Sequence, residues 1–155
     1  MSDFKLIRTN SMDPQFQKLV EKLDVYLAVQ DGDEHAFYDQ YNKIAQIKYA
    51  IVGYSGSRAV CCGAIKSFNS KAMEVKRMYV LPEFRGKGYA TLLLRGLEEW
   101  SLELNYSKCL LETGTRQPEA IALYKKNGYV QIANYGQYTG VTNSLCFEKI
   151  LGKKT

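Results

Sequence analysis

Glycines and basic residues alternate in a short stretch that runs from Val80 to Thr91 and reads VLPEFRGKGYAT. The stretch lies between an apolar, strand-like run and a long helical pattern, so it marks a strand-to-helix loop. Gly86 and Gly88 let the backbone approach a ligand closely, and the free N–H groups and positive dipole end of the following helix favour a phosphate. The loop therefore predicts a pyrophosphate cradle, with an ordinary tight strand–helix turn as the alternative.

Two familiar phosphate-binding motifs do not fit this loop. A Walker loop requires G-x-x-x-x-G-K-[ST], whereas Lys87 is followed by Gly88 and preceded by only one nearby glycine. A dinucleotide fingerprint requires G-x-G-x-x-G/A, and after Gly86 and Gly88 the third position is Thr91. What remains is the pattern R-x-x-G-x-A between a strand and a helix.

The cysteines and the histidine do not suggest a metal site. Cys61 and Cys62 are adjacent, while Cys109 and Cys146 stand alone, so neither C-x-x-C nor another metal-ligand spacing occurs. All four are expected to be reduced core residues. His35 has no Ser or Cys constellation pointing to it, which favours a surface or capping role.

Four helical patterns surround the loop and must help to position it. A helix is predicted from Pro14 to about residue 29, and a shorter amphipathic helix around Phe37, Tyr41 and Ile44. A third, from about residue 88 to 104, is apolar on one face and is expected to turn four charged residues to water, namely Arg95, Glu98, Glu99 and Glu103. The last begins at Pro118 and ends at Asn127-Gly128.

Seven apolar runs bounded by turn residues predict strands, at 4–9, 48–54, 59–66, 72–80, 108–113, 129–133 and 144–150. The short turns among the second, third and fourth strands favour antiparallel neighbours. The expected fold is therefore α/β, with a mixed, mostly antiparallel twisted sheet of about seven strands and helices on both faces. Residues 1–155 are expected to form a single domain.

The composition, 46% hydrophobic and 24% charged, is that of a globular domain. The start, MSDFKLIRTN, lacks the apolar core of a signal peptide, and no run reaches the ~18 residues that cross a bilayer, so we expect a cytoplasmic protein without membrane partners. The net charge of +5 suits nucleic acid and polyanionic small molecules alike. No predicted helix carries the Lys/Arg-rich face of a nucleic-acid module, so no nucleic-acid partner is expected.

The loop and a second stretch together resemble a known family. VLP-x-x-RGKGYA is similar to motif A of the GNAT superfamily of acyl-CoA-dependent N-acetyltransferases, and residues 111–129, LETGTRQPEAIALYKKNGY, are similar to its motif B. The order of the predicted elements is also similar to that family's fold, so the resemblance covers roughly residues 4–150. It implies a GNAT-like fold with acetyl-CoA as the acyl donor and no metal.

The resemblance implies coenzyme-binding residues position by position. In the family the strand before the loop splays from its neighbour, and its exposed backbone holds the pantetheine arm and the thioester carbonyl; the matching strand end here is Met78, Tyr79 and Val80. The loop matches the pyrophosphate cradle, at Arg85, Gly86, Lys87, Gly88, Tyr89, Ala90 and Thr91. Gln117 stands where the family often has an asparagine that contacts the coenzyme. Lys76 and Arg77 are expected to add positive field for a ligand with several phosphate charges.

Three residues match family positions that take part in the chemistry. Glu74 matches the base of the histone-modifying branch, and Glu112 matches the catalytic glutamate of the branch that acetylates ribosomal protein N-termini, so both stay open as the base. Glu74 is expected to share a strand face with Met78 and Val80. Tyr124 matches the tyrosine that stabilises the departing thiolate, with a core aromatic as the alternative.

The implied function is transfer of an acetyl group from acetyl-CoA to a primary amine, by direct attack in a ternary complex without a covalent enzyme intermediate. The acceptor is expected to be a small-molecule or peptide amine, and Tyr135 and Tyr138 lie in a loop that the family often uses to wall the acceptor pocket. A catalytically silent acyl-CoA-binding sensor on the same fold is the alternative. A homodimer is left open.

Overall fold

The computed structural model describes residues 3–31 and 47–152, in which seven strands and three α-helices are formed. The strands are β1 (Phe4–Thr9), β2 (Tyr49–Ser55), β3 (Arg58–Ser67), β4 (Ala72–Val80), β5 (Lys108–Gly114), β6 (Val130–Ile132) and β7 (Ser144–Ile150). The helices are α1 (Pro14–Asp31), α2 (Tyr89–Glu103) and α3 (Pro118–Lys126). The predicted elements in these ranges are confirmed with small shifts at their ends. The predicted helix at Phe37, Tyr41 and Ile44, with His35, lies outside the described residues.

The strands form one sheet in the order β1-β2-β3-β4-β5-β7-β6. Neighbours are antiparallel except for β4 and β5, which run parallel and pair only through Ala72–Glu74 and Lys108–Leu110. Beyond Glu74 the two strands continue without pairing to each other. The mostly antiparallel seven-stranded sheet is confirmed, and it opens between its two central strands.

Helices cover both faces of the sheet. Helices α1 and α2 each pack against β2, β3 and β4, so they lie on opposite faces of the same strands. Helix α3 lies on the same face of the sheet as α2. Phe147 and Lys149 share one face of β7, and Lys149 forms an ion pair with Glu98 of α2. The ring of Tyr124, a residue of α3, lies 6.5 Å from the ring of Phe147. The N-termini of α2 and α3 therefore both open on one side of the gap.

A β-bulge interrupts β4 beyond Glu74, the last residue that pairs with β5. Cys62 pairs with Tyr79 and Ala64 pairs with Lys76, so β4 has one residue more than β3 between these pairs. Arg77 takes up the extra length with φ = 60°, a left-handed conformation that side chains disfavour. Its guanidinium is buried and forms an ion pair with Asp24 of α1, which fastens the bulge to the helix above it.

The bulge reverses the side-chain alternation along β4, so one prediction is wrong. Glu74 and Lys76 face α1, but Met78 and Val80 face α2 instead of sharing that face. The position of Met78 shows the reversal directly, since a Cβ on Gly63 would meet Met78 Sδ and Leu93 of α2. Strict alternation along a strand predicts that Glu74, Met78 and Val80 share one face. The prediction fails because the extra residue in the bulge at Arg77 moves the side chains after it to the opposite face.

Glu98 is a second departure from prediction, because it is buried and does not face water. Its carboxylate accepts a hydrogen bond from the Tyr129 hydroxyl at 2.9 Å and pairs with Lys149 Nζ at 2.9 Å. The apolar periodicity of the helix could not show that Lys149 of β7 lies next to this turn of α2. A buried carboxylate is tolerated when it is paired and hydrogen-bonded in this way.

The predicted core cysteines are confirmed as free and buried at all four positions. Burial raises the pKa of Cys109 to about 11 and that of Cys61 to about 12, so these thiols stay protonated. They pack as small apolar residues. None of the helices within residues 3–31 and 47–152 combines the length and apolarity needed to cross a bilayer.

Candidate active site

A cavity of about 500 Å³ occupies the gap between β4 and β5, below α1 and between the first turns of α2 and α3. It brings together every predicted coenzyme-binding and catalytic residue except Lys87, and of the two predicted acceptor-wall tyrosines it is lined by Tyr138 but not by Tyr135. The predicted coenzyme residues in its wall are Met78, Tyr79, Val80, Arg85, Gly86, Gly88, Tyr89, Ala90, Thr91 and Gln117. The predicted catalytic residues in its wall are Glu74, Glu112 and Tyr124.

The glycine loop has the geometry of an anion cradle. Gly86 and Gly88 have φ of 81° and 82°, and a Cβ at either position would meet no protein atom within 4 Å. Gly88 is also the N-cap of α2, so the free N–H groups of that helix's first turn follow it directly. The backbone donors thus border open space rather than packed side chains, as a cradle for phosphate oxygens requires.

Arg85 joins the loop to the wall of the cavity. Its Nε donates to the Val80 carbonyl oxygen at 2.9 Å, and its guanidinium lies 5.5 Å from the Tyr79 ring and 5.7 Å from the Tyr26 ring. The cation is therefore held in the cavity wall beside the glycine loop, where it adds positive charge that favours a polyanionic ligand.

Gln117 offers an unused donor inside the cavity. Its Oε1 accepts a hydrogen bond from the Tyr26 hydroxyl at 3.1 Å, which bridges α1 and the start of α3. Its Nε2 is buried and has no hydrogen-bond partner among the described residues. A buried amide donor without a partner costs free energy, so a ligand carbonyl at this point would be favoured. Gln117 thus fits the coenzyme contact predicted for it.

A polar cluster fills the α1 side of the cavity. Glu74 Oε2 accepts a hydrogen bond from the Tyr135 hydroxyl at 2.8 Å, and Glu74 Oε1 lies 3.7 Å from Lys76 Nζ. Burial, and secondly the charge of Glu74, raises the pKa of Tyr135, so its hydroxyl stays protonated as a donor. Burial lowers the pKa of Lys76, while Glu74 and Glu112 oppose that shift. The cluster therefore holds two carboxylates around one buried amine.

Tyr124 reaches the cavity from the other face of the sheet. Its ring packs at 5.8 Å from that of Tyr129 and 6.5 Å from that of Phe147, so it is also a core aromatic. Burial, and secondly the charge of Glu112, raises its pKa, which keeps the hydroxyl protonated. The two carboxylates and the tyrosine thus line the same cavity.

Three features of this site were missed by sequence reasoning. Lys76 was predicted to serve the phosphate end, but it lies beside Glu74. Tyr26 lies in the helix predicted from Pro14 to about residue 29 without any predicted role in the site, and Tyr135 was predicted only as a loop wall, yet they hydrogen-bond to Gln117 and Glu74. These pairs are 91 and 61 residues apart in the chain, and no local pattern carries such contacts.

Known proteins are similar to this chain over most of its length. A model of the acetyltransferase (GNAT) family matches residues 13–129. An IAA acetyltransferase of Azospirillum brasilense is 32% identical over 154 residues, covering 97% of this chain and 100% of that protein.

Solved structures give the same fold. A protein from Klebsiella pneumoniae, described as an acyl-CoA N-acyltransferase, superposes with a TM-score of 0.82 at 28% identity, covering 97% of this chain and 99% of that one. A GNAT acetyltransferase from Elizabethkingia anophelis with acetyl-CoA bound superposes with a TM-score of 0.71 at 15% identity, covering 97% and 100%.

Proposed function

The chain belongs to the acetyltransferase (GNAT) family and is an acyltransferase, and on that premise we propose that it moves the acetyl group of acetyl-CoA directly to a primary amine. The observation that carries the proposal is one cavity whose wall runs from the glycine cradle to two carboxylates and a tyrosine hydroxyl. A binding module would need the cradle alone, whereas proton transfer needs the groups at the inner end.

In this proposal the outer half of the cavity holds acetyl-CoA. The backbone N–H groups after Gly88 take the pyrophosphate, Arg85 adds positive charge, and Gln117 Nε2 donates to the pantetheine arm. When bound, the coenzyme supplies an acetyl group activated as a thioester. The N–H groups of Met78 to Val80, where β4 has left β5, are the proposed donors to the thioester oxygen.

The inner half is the proposed acceptor site. An alkylammonium has an unperturbed pKa near ~10.4 and must lose a proton before its nitrogen can attack. Glu74 and Glu112 both line this half, and either carboxylate can take the proton directly or through water. The hydroxyl of Tyr124 lies on the opposite face of the sheet and is the proposed donor to the departing sulfur.

Replacement of the two glutamates distinguishes their roles. We expect Glu74→Gln to lower kcat by about 10² near neutral pH, because loss of a positioned base typically costs about that much. The defect should shrink as pH rises, since the free amine then becomes abundant without a base. Glu112→Gln should change the rate little.

The measurement is kcat against pH for each variant. Glu99→Gln, which changes an exposed carboxylate on α2, is the control for loss of negative charge. The opposite ranking would transfer the role of base to Glu112. Small and equal effects would remove both carboxylates from the proton transfer and leave it to a water chain.

The acceptor class is proposed as a small-molecule or peptide primary amine. The similar protein from Azospirillum brasilense is named an IAA acetyltransferase, and this supports acetyl transfer by this type of chain. The test is a panel of polyamines, amino acids, aminoglycosides and peptides, scored by release of free thiol from acetyl-CoA. Amine-dependent release is expected for at least one class, whereas coenzyme binding with no release would favour the silent sensor.

A further inference from the structure

The acceptor half of the cavity already contains a primary amine, that of Lys76. We propose that Lys76 is itself an acetyl acceptor, so that the protein acetylates this lysine when acetyl-CoA is bound and no external amine is present. This inference rests on the proposed acetyltransferase function. It assigns a covalent modification site to the cavity wall.

The first support is the position of the side chain. Lys76 follows Glu74 by two residues on the α1 face of β4, directly before the bulge at Arg77. Its side chain is only 7% exposed, and it lines the same cavity as the glycine cradle. The amine is therefore enclosed with the coenzyme site and does not extend into solvent.

The second support is how loosely the amine is held. An ammonium group has three donors, yet that of Lys76 makes no hydrogen bond with the described residues, and its ion pair with Glu74 spans 3.7 Å. A buried ammonium used only as a structural counter-ion is normally satisfied by short, charge-assisted hydrogen bonds of about 2.7–2.9 Å. Lys76 lacks these bonds, so no short hydrogen bond to a described residue fixes its amine in place within the cavity.

The third support is the charge around the amine. The ionisable groups that act on it are Glu74 on β4, Glu112 on β5, Lys66 on β3 and Arg77 on β4. Burial is the largest influence and lowers the pKa of Lys76, as the neighbouring cations also do, so the neutral nucleophile is more accessible than on an exposed lysine. The carboxylate of Glu74 is the nearest acceptor for its proton.

The proposed reaction is a single acyl transfer that needs no further reactant. The Lys76 ammonium first loses one proton to Glu74, and the neutral Nζ then forms a bond to the acetyl carbon while the carbon–sulfur bond of the thioester breaks. The sulfur leaves with the electron pair of that bond and takes up the second proton lost by Nζ, which gives free coenzyme A. One amide and one thiol are formed, and the one proton left over is released to solvent through Glu74.

Acetylation of Lys76 should be self-limiting. The product is an amide, which is far less activated than a thioester, so the acetyl group is not passed on to an external amine. The modification also removes the cation between two carboxylates and places an acetyl group in the acceptor half. Activity towards external amines should therefore fall as Lys76 becomes acetylated, and a saturating external amine should protect it.

The experiment incubates purified protein with isotopically labelled acetyl-CoA and maps the label by tandem mass spectrometry. Lys18 and Lys22 are exposed on α1 and report uncatalysed acetylation, while Lys126 lines the cavity but is exposed. We expect Lys76 to be labelled about 10²-fold faster than these lysines, because a positioned base typically contributes that much. The labelled fraction should rise at a rate independent of protein concentration.

Two variants and one parallel assay complete the test. Lys76→Arg and Lys76→Met should lose the label, and circular dichroism checks that both fold. Labelling of Lys76 no faster than that of Lys18, or a rate that grows with protein concentration, would overturn the inference. The amine panel is run on the same sample. Transfer to free amines while Lys76 stays unlabelled would refute only the proposed acetylation of Lys76. No transfer to any amine, Lys76 included, would refute the proposed acetyltransferase function.

Discussion

Gly88→Val should abolish measurable binding of acetyl-CoA while leaving the domain folded. Gly88 has φ = 82° and lines the cavity, and a Cβ there would meet no protein atom within 4 Å, so we expect the added bulk to project into the cavity beside the N–H groups of α2. Those donors need direct contact with phosphate oxygens at hydrogen-bond distance, and a branched side chain would block that approach. The measurement is calorimetric titration of the variant with acetyl-CoA.

Gly56→Val is the matched control for this variant. Gly56 lies in the turn between β2 and β3 and has φ = 61°, and a Cβ at this position would likewise meet no protein atom within 4 Å. Both changes impose left-handed strain of roughly 1–2 kcal/mol, so their losses of stability should be similar. Only Gly88→Val should lose binding, and unchanged affinity in that variant would refute the phosphate cradle.

Tyr124→Phe should lower kcat by about 10² and leave the coenzyme dissociation constant within about threefold. A phenol of pKa ~10 is a weaker acid than a thiol of ~8.5, so full proton transfer to sulfur is uphill by roughly 2 kcal/mol even before burial acts. Burial and Glu112 raise the pKa of Tyr124 further. The hydroxyl should therefore serve as a hydrogen-bond donor to charge developing on sulfur.

Tyr129→Phe is the control, because Tyr129 is the ring neighbour of Tyr124 but donates its hydrogen bond to Glu98, away from the cavity. It should lower stability, since Glu98 loses a partner, and leave kcat near the wild-type value. The assay is steady-state kinetics with acetyl-CoA and the best amine from the panel. A Tyr124→Phe variant with wild-type kcat would show that the hydroxyl is structural, and one that lost coenzyme binding would place it in the cradle.

The sequence predicted the fold well, and most of the residues it proposed for coenzyme binding line one cavity, because both depend on local patterns. Apolar periodicity and turn residues mark the strands and helices, and the glycine loop contains its own donors. The family resemblance implies that the strand before the loop separates from its neighbour, but local patterns do not show where β4 and β5 cease to pair. No residue type in β4 or β5 marks the position at which their pairing ends.

The acceptor half was predicted less well, because it depends on the phase of one strand and on distant contacts. The extra residue at Arg77 reverses the alternation along β4, and nothing in the sequence around it distinguishes a bulge from a regular strand. The partner of Glu74, Tyr135, comes from the loop between β6 and β7. Residue types alone therefore identified Glu74 as a candidate but not the environment that holds it.

The most direct test of direct acetyl transfer is an initial-rate study in which acetyl-CoA and the best amine are both varied. The proposal predicts that one acetylated amine forms for each coenzyme A released and that reciprocal plots intersect, because both substrates must be bound before transfer. Parallel reciprocal plots would contradict it by indicating a covalent acetyl-enzyme intermediate. Coenzyme binding without amine-dependent thiol release would contradict it by leaving a protein that binds acetyl-CoA and transfers nothing.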